Sequence, residues 1–177
     1  MDHDLWRRWS TLGVIAGLAS CTPRPPGQAE VKAPVKRHIG PVKSAIAEMY
    51  PARRTDVHGL VHLRATDQGL LLRGNVKGLK AGLYGLGIHQ GDCSSLDGKS
   101  AGDYFAGTAG GEPIGRLEDL LIEHLGDTDF QRLETKLSLF GPDSIVGKSL
   151  VVHAWPYDPK VDVKTVPFVS CGVIQAE

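Results

Sequence analysis

A segment with alternating apolar residues, a short polar turn and a second apolar run follow one another, and this pattern constrains the fold more than any other feature of the chain. Residues 57–63 read Val-His-Gly-Leu-Val-His-Leu, residues 66–69 read Thr-Asp-Gln-Gly, and residues 70–76 read Leu-Leu-Leu-Arg-Gly-Asn-Val. Period-two alternation before a turn, with a second apolar run after it, is typical of a β-hairpin. β-rich runs at 83–90, 149–153 and 169–174 predict further strands.

The composition agrees with an all-β domain. The chain has 177 residues, enough for one domain with its own core, and 22 of them are glycine, which weakens helix interiors and favours turns. Twenty Lys and Arg residues balance twenty Asp and Glu residues. The chain therefore lacks the net positive charge expected of a nucleic-acid-binding protein.

One segment favours a helix instead. Apolar residues recur at helical spacing with acidic residues between them, at Ile114, Leu117, Leu120, Leu121, Leu125, Phe130, Leu133 and Leu137. Periodicity alone thus predicts a helix in this part of the chain.

The first 20 residues are typical of a secretory signal peptide. Arg7 and Arg8 precede a short apolar run at 11–20, which is too short to span a membrane permanently. The sequence Leu-Ala-Ser-Cys at 18–21 resembles the lipobox of bacterial lipoproteins, which implies cleavage before Cys21 and acylation of that cysteine. The alternative is an ordinary cleaved signal followed by a chance cysteine.

A segment rich in proline and charge follows. Residues 21–50 are predicted to form the lipidated cysteine and its tether, because Pro-rich, polar sequence cannot bury enough apolar surface to fold. The folded domain is then expected to span residues 51–177.

Four motifs in order resemble the Cu/Zn superoxide dismutase family. Residues 82–94 read Gly-Leu-Tyr-Gly-Leu-Gly-Ile-His-Gln-Gly-Asp-Cys-Ser and resemble the family's copper-site strand and the loop after it. The other three are Ala-Gly-Asp-Tyr-Phe at 101–105, Ile-Val-Gly-Lys-Ser-Leu-Val-Val-His at 145–153, and Cys-Gly-Val-Ile at 171–174.

The resemblance implies an eight-stranded Greek-key β-barrel, a sandwich of immunoglobulin-like architecture. It implies that 117–139 forms strand, loop and strand, against the helical periodicity. It also implies a disulfide between Cys93 and Cys171, which match the family's bonded cysteines.

Few of the family's metal ligands are present. Its copper is held by four imidazoles, and the matching positions here are Gly87, His89, Tyr104 and His153. His89 and His153 are the candidate copper ligands, and Tyr104 is a weaker candidate because a phenol resists ionisation.

The zinc ligands and the substrate-guiding cation of the family are also replaced. Pro-Ile-Gly-Arg at 113–116 stands where the family has His-x-Gly-Asp, so zinc is not expected. Phe168 stands where the family has an arginine that guides superoxide.

Three functions follow as hypotheses. The first is a barrel whose degenerate metal site gives weak or no dismutase activity and which instead binds a protein or envelope partner. The second is a copper-handling module that uses His89 and His153 and prefers Cu(I). The third is a copper dismutase, converting superoxide to oxygen and hydrogen peroxide, with a copper-only site completed by Tyr104 or water.

The expected partners are a membrane, through the lipid on Cys21, and a second copy of the chain or an envelope protein. Superoxide is a partner only if the site is active. The expected location is the periplasmic side of the cell envelope. Thr22 after Cys21 replaces the Asp that commonly retains lipoproteins in the inner membrane, which favours the outer membrane.

Overall fold

The computed structural model describes residues 41–95, 97–109, 111–124 and 126–177. The predicted signal peptide, Cys21 and most of the predicted tether lie outside the described residues. Among the residues described, no helix is long and apolar enough to cross a membrane.

The described residues form nine β-strands and two 3-10 helices. The helices are Lys99–Ala101 and Val163–Thr165. The strands are β1 Ser44–Pro51, β2 His58–Thr66, β3 Gly69–Leu79, β4 Gly82–Tyr84, β5 Leu86–His89, β6 Leu120–Ile122, β7 Gly126–Glu134, β8 Ser149–His153 and β9 Phe168–Ala176.

The strands form two antiparallel sheets. One has the order β5-β8-β9-β1-β2-β3-β7 and the other pairs β4 with β6. The expected hairpin is present, with Thr66 opposite Gly69 and Val61 opposite Gly74. The run at 83–90 is divided at Gly85, so that β4 pairs with β6 while β5 pairs with β8.

The seven-stranded sheet curls around one large buried cluster, and a smaller cluster of Ala101, Val151 and Cys171 lies apart from it. Leu86 and Ile88 at one end of the sheet pack in the same buried cluster as Val61 and Leu72 near the other end. The architecture is that of a Cu/Zn superoxide dismutase type of barrel or sandwich, which confirms the predicted all-β class.

The helix expected from the periodicity of residues 114–137 is wrong, and the strands implied by the family resemblance are present. In β6, Leu120 and Ile122 are buried while Leu121 is 62% exposed, which is the alternation of a strand. β7 pairs with β3 from Gly126 opposite Leu79 to Glu134 opposite Leu70. Pairing with neighbouring strands overrides the local helical pattern.

The folded domain begins before residue 51. β1 lies within the segment 21–50 that was expected to be tether, and it pairs with β2 on one side and β9 on the other. Its inward side chains are Ala45, Ala47 and Met49, all buried. Two small alanines gave a weak hydrophobic signal, which explains the misplaced boundary.

A disulfide joins the loop after β5 to the last strand. Cys93 and Cys171 are bonded across a sequence separation of 78 residues. The bond therefore holds the loop that follows His89 against β9.

Candidate functional site

The structure brings together the three residues that were candidate metal ligands. His89 ends β5 and His153 ends β8, and these two strands are paired. The Nε2 atoms of the two imidazoles are 2.9 Å apart. Tyr104 lies against His89, with a distance of 4.6 Å between the ring centroids.

Hydrogen bonds fix the tautomers of the neutral histidine pair. Nδ1 of His89 donates to the Gly102 carbonyl at 2.9 Å, so Nε2 of His89 is left as an acceptor. His153 therefore donates its Nε2 proton to His89. Nδ1 of His153 is buried and makes no hydrogen bond within the part of the chain that the structure describes.

Burial makes all three side chains neutral near neutral pH. Burial lowers the pKa of His89, partly offset by its bond to Gly102. Burial and then the neighbouring His89 lower the pKa of His153 to about 4. Burial, assisted by Asp119, raises the pKa of Tyr104 to about 12. Tyr104 is consequently a phenol and not an anionic ligand.

Tyr104 occupies the space beside Gly87. An added Cβ at Gly87 would overlap the ring atom Cε1 and would lie 2.8 Å from Cδ1. Gly87 thus faces a ring at the position where the family has its first copper histidine.

Arg116, the last residue of the segment that aligns with the family's His-x-Gly-Asp motif, is a cation. The Arg116 guanidinium lies 4.3 Å from the centre of the Tyr157 ring, a cation–π arrangement, and Tyr157 lies 6.1 Å from Tyr104. The backbone N–H of Tyr157 donates to the Asp119 carboxylate at 3.3 Å. Within the described ranges, no group of three or more His, Cys, Asp or Glu side chains is placed to hold a metal.

Phe168 lies opposite His153 across the β8–β9 pair, where the strand register shifts. Its ring packs against Gly98, whose φ is +81°, so closely that an added Cβ there would overlap the ring. A cavity of about 10 Å³ beside the histidines has Gly98, Phe168 and Lys164 in its lining, with room for about one water molecule. Phe168 and the two histidines therefore line the same small cavity.

The exposed histidines of β2 do not form a second site together. His58 and His62 lie on one face of the strand, four residues apart, which corresponds to about 13 Å along a strand. That separation is too large for both to bind one ion. His58 Nδ1 lies 2.7 Å from the Asp56 carbonyl.

Sequence reasoning missed several residues that shape the site. Gly102 lies in the motif at 101–105, but the motif did not indicate that its carbonyl would accept the hydrogen bond that orients His89. The stack of Arg116 on Tyr157 joins residues 41 positions apart, and the sequence carries no local signal for it.

Comparisons with known proteins agree with this architecture. The family model for copper/zinc superoxide dismutase (SODC) matches residues 57–174. The chain therefore belongs to the Cu/Zn superoxide dismutase family, as the motifs predicted.

Two relatives and one solved structure illustrate the likeness. The chain is 29% identical over 128 residues to an extracellular superoxide dismutase [Cu-Zn] of Brugia pahangi, covering 68% of this chain and 64% of that protein. It is 33% identical over 112 residues to a putative superoxide dismutase [Cu-Zn] of Autographa californica nuclear polyhedrosis virus, covering 55% and 72%. A crystal structure of the clock protein EA4 superposes with a TM-score of 0.65 at 22% identity, over 81% of this chain and all of that one. That structural match supports the fold alone.

Proposed function

We propose that this chain is an exported, lipid-anchored superoxide dismutase-like protein whose degenerate metal site gives weak or no dismutase activity. The observation that carries the proposal is the neutral Tyr104 ring packed against His89 and Gly87, where the family has copper ligands.

The donors present do not fit a redox copper. Two imidazoles hold Cu(I) in a linear arrangement but leave Cu(II) with too few ligands. A neutral phenol, with its pKa raised to about 12, does not complete the set. Zinc fits still less well, because Arg116 brings a positive charge to the position of the family's carboxylate.

Access for superoxide is also reduced. Phe168 replaces the guiding arginine and packs over Gly98 beside the histidine pair. Without a fixed positive charge at this position, electrostatic attraction of the anion is weaker and the on-rate falls.

The proposed location rests on the N-terminal sequence. A positive segment with Arg7 and Arg8, a short apolar run and the lipobox-like Cys21 favour export followed by acylation. The disulfide between Cys93 and Cys171 is the kind of bond that forms in an oxidising compartment. The Brugia pahangi relative is described as extracellular, which also supports export. Thr22 favours the outer membrane.

Superoxide dismutation by copper-loaded residues 22–177, with the disulfide formed, tests the proposal against the His153→Ala variant. We expect both proteins to be equally slow. Their rates should be close to the background rate of superoxide dismutation that is measured when a chelator has removed unbound copper. Activity that disappears in His153→Ala would contradict the proposal and favour an active copper-only site completed by Tyr104 or water.

A second candidate is residual Cu(I) binding by the histidine pair. Its support is that both Nε2 atoms converge, 2.9 Å apart, in a buried site. A competition titration with a Cu(I) chelator tests it. Weaker binding in His153→Ala than in His58→Ala, which removes an exposed histidine, would support this candidate, and equal affinities would exclude it.

A further inference from the structure

Gly87 is not required by its own backbone. It lies in β5, and its φ is outside the positive range that favours glycine. The backbone would therefore accept any L-residue. The main obstacle to a side chain is the Tyr104 ring, which an added Cβ would overlap. The Gly115 carbonyl oxygen, 3.3 Å away, is a second and milder close contact.

Tyr104 is held in this position from several sides. An isolated backbone bridge pairs it with His89, and the rings of these residues are in contact. Tyr157, stacked under Arg116, lies on another side of the ring. The ring is 7% exposed, so moving it away from Gly87 would disturb a packed cluster.

The histidine pair connects three segments without a metal. His153 in β8 donates to His89 in β5, and His89 donates to Gly102 in the loop that leads to Tyr104. The proton on Nε2 of His153 lies between the two nitrogens that would both have to ligate a metal.

We propose that the Tyr104 ring fills the space that a side chain at Gly87 would need, so that the two residues depend on each other. Together with the His89–His153 pair, they form a core that requires no metal and that holds the loop preceding Tyr104 against the barrel. Glycine at 87 is needed mainly because tyrosine stands at 104. The inference rests on the proposed degenerate site and extends it, since it assigns a structural role to residues that no longer hold copper.

The test is a set of thermal denaturation curves of residues 22–177, recorded in a metal chelator. The variants are Gly87→Ala, Tyr104→Ala and the two together. Tyr50→Ala, with and without Gly87→Ala, is the matched control, because Tyr50 is an exposed tyrosine of β1 and is not among the atoms nearest to a Cβ at position 87.

We expect Gly87→Ala to lower the melting temperature by about 5 °C in the wild-type and Tyr50→Ala backgrounds, as for an overpacked core. In Tyr104→Ala the same change should cost nothing or raise the melting temperature. An equal fall in melting temperature in all three backgrounds would overturn the proposed dependence of Gly87 on Tyr104. If Tyr104→Ala does not fold, Tyr104→Leu provides the smaller side chain and is judged by the same criterion.

The core should also be independent of metal. We expect the wild-type melting temperature to be the same in chelator and in excess copper, and a large rise with copper would overturn a metal-independent core. A dismutase rate that depends on His153 would contradict the proposed function alone, because the coupling of positions 87 and 104 is measured without metal.

Discussion

The imidazoles of His89 and His153 are hydrogen-bonded to each other through their Nε2 atoms, 2.9 Å apart and almost fully buried. In a family whose histidines at these positions ligate copper, two such donors remain and share a proton. Their neighbour Tyr104 is aromatic and neutral. This relationship determines how the protein should respond to pH, to substitution and to copper.

The metal-free protein should lose stability as the pH falls from about 6.5 to about 4. The pKa of His153 is lowered to about 4, whereas an unfolded histidine titrates near 6.5, so the unfolded state binds more protons between these values. The stabilisation is complete above pH 6.5 and lost below pH 4, a difference of about 3 kcal/mol. Burial lowers the pKa of His89 as well, which acts in the same direction.

Urea unfolding at several pH values measures this dependence. The control is His153→Leu, in which the slope between pH 6.5 and pH 4 should be smaller, while His58→Leu on the exposed face of β2 should keep the wild-type slope. Equal slopes in all three proteins would contradict the assignment.

Restoring imidazoles at both replaced positions should restore copper binding. Gly87→His with Tyr104→His supplies four imidazoles and removes the ring that blocks position 87. Gly87→His alone should destabilise the fold, because Tyr104 still fills the space. Copper(II) retained after dialysis should be highest in the double variant, and retention no greater than in wild type would contradict the account.

Gly98 should tolerate substitution less well than a matched glycine. Gly98 has φ +81° and contacts Phe168, whereas Gly141 has φ +79° and nothing within 4 Å of an added Cβ. Alanine at Gly141 should cost about 1 kcal/mol from backbone strain, and alanine at Gly98 about 1–3 kcal/mol more because Phe168 must move. Chemical denaturation of both variants measures the difference. Equal losses in the free energy of unfolding would argue against close packing of Phe168 on Gly98.

The disulfide should contribute strongly to stability. Closing a loop of 78 residues stabilises by about 4 kcal/mol in the chain-entropy model. The variant with Cys93→Ala and Cys171→Ala should lose an amount of that order in urea unfolding, and reduced wild-type protein should behave alike. A loss below about 1 kcal/mol would show that the bond adds little beyond the barrel's own packing.

The sequence motifs were sufficient to predict the barrel, the bonded cysteines and the candidates His89, Tyr104 and His153, because each lies in a short strand or loop motif. The periodicity of 114–137 was misleading, since it combined buried strand residues such as Leu120 and Phe130 with exposed ones, Leu121 and Leu133. The start of β1 was missed because Ala45 and Ala47 are weakly hydrophobic. The fit of Tyr104 against Gly87 depends on two segments meeting in space, which no local pattern encodes.

The most direct test of the central claim is the copper content of the disulfide-bonded residues 22–177 after loading with copper and dialysis against a weak chelator, measured together with superoxide dismutation. The account predicts well below one copper per chain and a rate unchanged by His153→Ala. One tightly held copper per chain, with dismutation that disappears in His153→Ala, would contradict it.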